Sequence, residues 1–130
     1  MKNILLLCAF LLLFTNCFEV ERNCADFKTG EFGFDYTIDG VKKTGRFIRT
    51  DSLNIDYYEG KVDSSSVRWI NDCEFILKKL NPKTNAEIDA IHMKILTTDG
   101  ISSYTFEYKL AVKKPNKPLR SEKGVAYRIN

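Results

Sequence analysis

Apolar and polar residues alternate with a period of two through most of the chain, and short turn sequences interrupt them at regular spacing. The clearest run sets Phe32, Phe34, Tyr36 and Ile38 against Gly33, Asp35 and Thr37, a strand with one apolar face. Asp39-Gly40 follows as a two-residue type I′ turn, because both positions tolerate positive φ. Closing that turn sets Ile38 opposite Val41, Phe34 opposite Gly45 and Phe32 opposite Phe47. Phe34 then lies over the bare backbone of Gly45. Thr50-Asp51-Ser52 turns the chain into a third strand, with Leu53, Ile55 and Tyr57 on one side and Asn54 and Asp56 expected to face water. Glu59-Gly60 turns it again.

The fourth strand, residues 62–70, begins with Asp63 and three serines, read as a solvated strand edge, and ends in Val67-Arg68-Trp69-Ile70. A two-residue turn at Asn71-Asp72 would pair Trp69 with Glu74 and mix the faces. A three-residue loop that includes Cys73 pairs Trp69 with Phe75 and Val67 with Leu77, which keeps one face apolar. The bulge that such a loop carries leaves Cys73 at the end of the sheet.

A fifth strand, residues 74–80, stops at Asn81-Pro82. Thr84-Asn85-Ala86-Glu87 has the spacing of a capping box and predicts a helix of about two turns through Ile88 and Ala90. Asp99-Gly100 predicts a second two-residue hairpin that pairs Ile95 with Tyr104, Met93 with Phe106 and His92 with Glu107. Residues 113–123 hold Lys113, Lys114, Lys117, Arg120 and Lys123 against Glu122 alone, with two prolines and no periodicity, so they read as a loop. Val125, Tyr127 and Ile129 alternate as an eighth strand. The fold class expected is all-β with one short helix: an antiparallel up-and-down meander of about eight strands, as a curled sheet or small barrel, over residues 30–130.

Residues 1–16 read as a signal peptide. Lys2 supplies the positive charge, and the apolar run at 4–14 is too short to cross a bilayer. Phe14-Thr15-Asn16-Cys17 resembles a lipobox, in which the cysteine is acylated and becomes the first mature residue, although Phe14 and Asn16 depart from the usual Leu and small residue. The alternative is secretion without lipid. Acyl chains on Cys17 would hold residues 17–29 on a membrane as a tether and lead-in, each buried methylene contributing about 0.8 kcal/mol. This address is the bacterial cell envelope, with outer-membrane anchoring.

Composition changes this picture little. Of 20 basic residues one is Lys2, so 19 remain against 17 acidic ones, a balance that does not favour a nucleic-acid partner. With Cys8 removed and Cys17 acylated, Cys24 and Cys73 are left as a pair in an oxidising compartment. They are either bridged or two buried thiols. Two cysteines so far apart and one histidine lack metal-ligand spacing, so neither a metal nor a cofactor is expected.

Acid–base chemistry near neutrality would have to use His92, the single histidine, or a perturbed carboxylate, and opposite Glu107 on an outward face His92 reads as a surface pair. The aspartates sit mostly at turns. Nucleophile-elbow, P-loop and dinucleotide-binding patterns are missing from the sequence, so no catalytic residue is assigned. The basic loop residues 113, 114, 117, 120 and 123 are candidates for contact with an anionic surface.

Asn23-Cys24, Phe27-Lys28-Thr29-Gly30, Arg49-Thr50-Asp51-Ser52 and Ser66-Val67-Arg68-Trp69-Ile70-Asn71-Asp72-Cys73-Glu74 together resemble a family of short secreted bacterial lipoproteins that often carry the label "DNA topoisomerase IV". Such an enzyme needs a large dimeric scaffold, metal-binding acids and an ATPase, which an exported chain of this size does not accommodate. The eight-strand meander is also similar to lipocalin and fatty-acid-binding barrels, and Gly30-Glu31-Phe32 resembles the lipocalin Gly-x-Trp. The family resemblance implies no activity, and the leading expectation is a non-catalytic envelope lipoprotein with a structural or protein-partner role. The barrel resemblance implies a carrier of a small apolar ligand lined by Phe34, Tyr36, Trp69, Phe75, Tyr104 and Phe106.

Overall fold

A computed structural model of the chain describes residues 21–130; residues 1–16, read above as a signal peptide, and Cys17 lie outside the described residues. Eight antiparallel strands form a closed barrel in sequence order: β1 (Gly30–Ile38), β2 (Val41–Arg49), β3 (Leu53–Tyr58), β4 (Lys61–Asn71), β5 (Glu74–Lys79), β6 (Ile91–Asp99), β7 (Ser103–Leu110) and β8 (Ser121–Arg128). The first hairpin has the register that the alternation predicts, with Phe32 on Phe47, Phe34 on Gly45 and Ile38 on Val41. A Cβ at Gly45 would meet the Phe34 ring, so glycine is what allows that ring to lie flat on the wall. The β4–β5 clasp also matches: Trp69 pairs with Phe75, Val67 with Leu77, and the register shifts between Trp69 and Asn71.

Four expectations are corrected. The capping box forms, with Glu87 N–H donating to Thr84 Oγ1 and Thr84 N–H to Glu87, but the chain makes a single 3-10 turn at Ala86–Ile88. Asp89 returns to extended backbone, and a lone turn outside the barrel buries no residue that would stabilise a longer helix. The β6–β7 loop is three residues long, with Asp99 opposite Ser103, and a bulge between Ile95 and Thr97 takes up one residue. The net slip is two, so Ile95, Met93, Tyr104 and Phe106 keep their inward face while Ile95 meets Phe106 and Met93 meets Tyr108. His92 is consequently opposite Lys109, not Glu107.

The third correction concerns β3. Arg49 pairs with Asn54, because four residues lie between them, and cross-strand partners share a face. Phe47 and Arg49 point inward, so Asn54 and Asp56 point inward too, and Ile55 and Tyr57 face out. The three serines of β4 then lie against Leu53, Asn54 and Ile55 inside the sheet, not on an edge. The fourth concerns β8, which begins at Ser121 and so takes in the last three residues of the stretch 113–123 read as a loop, because they pair with Glu107, Tyr108 and Lys109 of β7.

Barrel closure is short. β1 pairs with β8 at Phe32–Arg128 and Gly33–Tyr127, Glu31 exchanges backbone hydrogen bonds with Ile129 and Asn130, and the further part of β1 and the start of β8 are not paired with each other.

Candidate functional site

One end of the barrel is sealed by the segment before β1. Its 3-10 turn Cys24–Phe27 buries Cys24 and Phe27, a core role that the sequence reading did not assign to the lead-in. Phe27 sits 5.1 Å from Tyr104 and 6.2 Å from Phe32, centroid to centroid. Cys24 is bridged to Cys73. Arg128 Nη2 donates to Asp26 O at 2.5 Å, Lys28 pairs with Asp72 at 2.8 Å, and Asn23 N–H donates to Thr98 Oγ1.

Arg49 is the inner face of this plug. It is 2% exposed, and its guanidinium donates to Phe27 O (2.6 Å), Lys28 O (3.2 Å) and Tyr104 Oη (3.1 Å). Its carbon centre lies 4.7 Å from the Phe75 ring centroid and 5.2 Å from that of Phe47. Carbonyl dipoles and aromatic faces together replace the water that this charge gives up.

Above Arg49 the barrel is hollow. A cavity of about 480 Å³ has Arg49, Tyr104 and Phe47 at its base, and Phe34, Tyr36, Phe106, Tyr108 and Met93 along one side. A second hollow of about 280 Å³ shares Phe34, Tyr36 and Asp56 and runs on to Ile38, Tyr58 and Glu59, towards the β1–β2 and β3–β4 turns. Asp35, Lys123 and Val125 also border the main cavity, where β1 and β8 are not paired. Of the six residues expected to line a ligand site, Phe34, Tyr36, Tyr104 and Phe106 border this cavity. Trp69 and Phe75 do not. They stack on each other at 4.4 Å in the filled half, with Lys28 over the indole.

The opposite wall is polar, and sequence reading missed it. Asn54, 3% exposed, donates from Nδ2 to Asp56 Oδ1 at 3.1 Å, and both border the cavity. Burial pushes the Asp56 carboxyl up to about 6, helped by Asp63, its partner on β4, and opposed by Asn54, Arg49 and Lys79. Asp63 differs: it accepts from Tyr58 Oη at 2.6 Å and pairs with Lys79 at 3.3 Å, and its carboxyl is held below the usual range. Asp56 has no ion pair among the described residues.

The remaining candidates are scattered. His92 Nε2 lies 3.1 Å from Glu74 Oε1, the same carboxylate that Asn71 binds, away from the cavity. Lys113, Lys117 and Arg120 are exposed, Lys114 pairs with Asp89 at 2.5 Å, and Lys123 stands on β8 beside the cavity. Among the described residues no group of three metal-binding side chains occurs. Searches against protein-family models, curated proteins and solved structures returned no match.

Proposed function

We propose that this chain is a non-catalytic carrier of a small, largely apolar molecule, a lipocalin-like barrel held in the bacterial envelope by acylated Cys17. The observation that carries this reading is the cavity of about 480 Å³, which lies in the size range of small-molecule sites and is sealed at one end only. Its aromatic side offers area for ring or chain contacts, and the unpaired stretch between β1 and β8 offers a lateral way in beside Phe34 and Tyr36. The plug, with its disulfide and paired polar groups, keeps the base rigid, which lowers the ordering cost of binding.

The test uses N-phenylnaphthylamine, a neutral dye that fluoresces in apolar surroundings. The full chain in lipid nanodiscs should bind one equivalent saturably, and Met93→Trp, which fills the cavity, should weaken that binding at least tenfold. Absence of saturable binding above empty nanodiscs would remove the carrier reading.

A structural or partner-binding role is the second reading. It draws on the exposed Val41, Val62 and Ile129 and on an outer hollow of about 490 Å³ bordered by Val62, Tyr57 and Ile129. Crosslinking in the intact envelope should then give a defined adduct that Val62→Glu abolishes.

A further inference from the structure

The cavity is divided lengthwise: aromatic rings from β1 and β7 face a polar wall from β3. An acyl carboxylate would need a free cation in the cavity. Arg49 commits Nε and Nη2 to Phe27 O, Lys28 O and Tyr104 Oη on the plug side, and Lys123 stands on β8 at the border of the main cavity; among the described residues no cation borders the second hollow. The charged residue common to both hollows is acidic. Asp56 accepts from Asn54 through one oxygen and has no ion-pair partner among the described residues, yet it borders both hollows.

Tyr36 and Tyr58 border the same hollow as Asp56, with the Tyr58 hydroxyl engaged by Asp63, and aromatic rings of this kind attract a cation. We propose that the ligand is an organic amine, whose ammonium pairs with Asp56 while its apolar body lies along Phe34, Phe106 and Tyr108. This assignment rests on the carrier reading.

The proposal carries a pH dependence. The charged and titratable groups around Asp56 are Arg49 on β2, Asp63 on β4, Lys79 on β5, Tyr104 and Tyr108 on β7, Asp35 and Tyr36 on β1 and Lys123 on β8, with Tyr58 on its own strand and Glu59 in the turn that follows. Lys79 is taken by Asp63 and Glu87, Glu59 by Lys43, and the buried Tyr104 hydroxyl is pushed up by desolvation. Asp56 is left as the member of this group that titrates near pH 6. Protonation removes the charge that holds the ammonium, so the amine binds at neutral pH and leaves on acidification.

Three probes of one shape test this: naphthylethylamine, naphthylethanol and naphthylacetate, titrated calorimetrically against the full chain in lipid nanodiscs. At pH 7.5 the amine should bind at least tenfold tighter than the alcohol, with the carboxylate weakest. At pH 5.0 the amine should lose roughly tenfold, since about a tenth of a group with this pKa stays ionised there. Asp56→Asn should bring the amine to the level of the alcohol. Equal affinities, or preference for the carboxylate, would overturn the amine assignment and leave the carrier reading standing. Failure of all three probes to saturate would overturn both.

Discussion

Replacing Asp56 with asparagine should make the protein more stable at neutral pH. The side chain keeps its shape, and the charge that burial disfavours is gone. The folded carboxyl titrates at about 6 against 3.8 for the free group. A folded value above the unfolded one means that the native state holds its proton longer, so stability is highest below 3.8 and falls as pH rises through about 6. At about 1.36 kcal/mol per unit, the whole loss is roughly 3 kcal/mol, and water reaching the cavity reduces it to about 1–3 kcal/mol. Asp56→Asn escapes this loss.

Urea unfolding of the two proteins at pH 4.0 and 7.5 measures it. Glu74 and Glu87, held low by Asn71 and Lys79 respectively, contribute stability of the opposite sign, present above 4.5 and lost as pH falls. Both proteins share that contribution, so the difference between them isolates Asp56. The variant should be about 1–3 kcal/mol more stable at pH 7.5 and equal within about 0.5 kcal/mol at pH 4.0. A variant less stable at pH 7.5, or a gap of the same size at both pH values, would refute the assignment of Asp56 to a desolvated wall.

Other outcomes follow from single contacts. Reducing Cys24–Cys73, 49 residues apart, should lower stability by about 4 kcal/mol in urea titrations with and without dithiothreitol. Arg49→Met leaves Phe27 O, Lys28 O and Tyr104 Oη without their donor and should destabilise by about 3–5 kcal/mol in the same assay. Gly45→Ala drives a methyl into the Phe34 ring, at a cost of about 1–3 kcal/mol, and should weaken dye binding as Phe34 is pushed from the wall. His92→Ala, distant from the cavity and half-buried beside Glu74, should change stability by less than about 1 kcal/mol and leave dye affinity as it was.

Alternation was enough to read strand positions and most pairings, because a period of two is written directly in runs such as Phe32 to Ile38. It does not say which alternate set faces in. In β1 the answer is plain, since one set is aromatic. In β3 both sets carry bulk, and hydrophobicity alone turns Leu53, Ile55 and Tyr57 inward, the wrong way. The information was present in the register: Phe47 is inside because it pairs with Phe32, Arg49 follows two residues on, and the loop length decides whether Asn54 or Leu53 is opposite. A one-residue difference in that loop exchanges the faces of the whole strand. The lead-in was missed for another reason. A four-residue 3-10 turn has no periodicity to detect, and Phe27 is buried by what it plugs, not by its neighbours in sequence.

The two interior charges help to separate fold from function. Arg49 and Asp56 share one interior, on neighbouring strands, and a direct pair would relieve the cost of burying both. Instead Arg49 is bound to the carbonyls of the plug, and Asp56 borders the open cavity with one neutral donor. The arginine is explained by contacts within the protein: remove it and three acceptors lose their donor. The aspartate is not. Its charge strengthens no ion pair among the described residues, and asparagine at that position would fill the same space without the desolvation cost. A group that lowers stability at neutral pH and borders an open cavity is best understood through what enters that cavity, so the affinity of the amine and the instability due to Asp56 should titrate together.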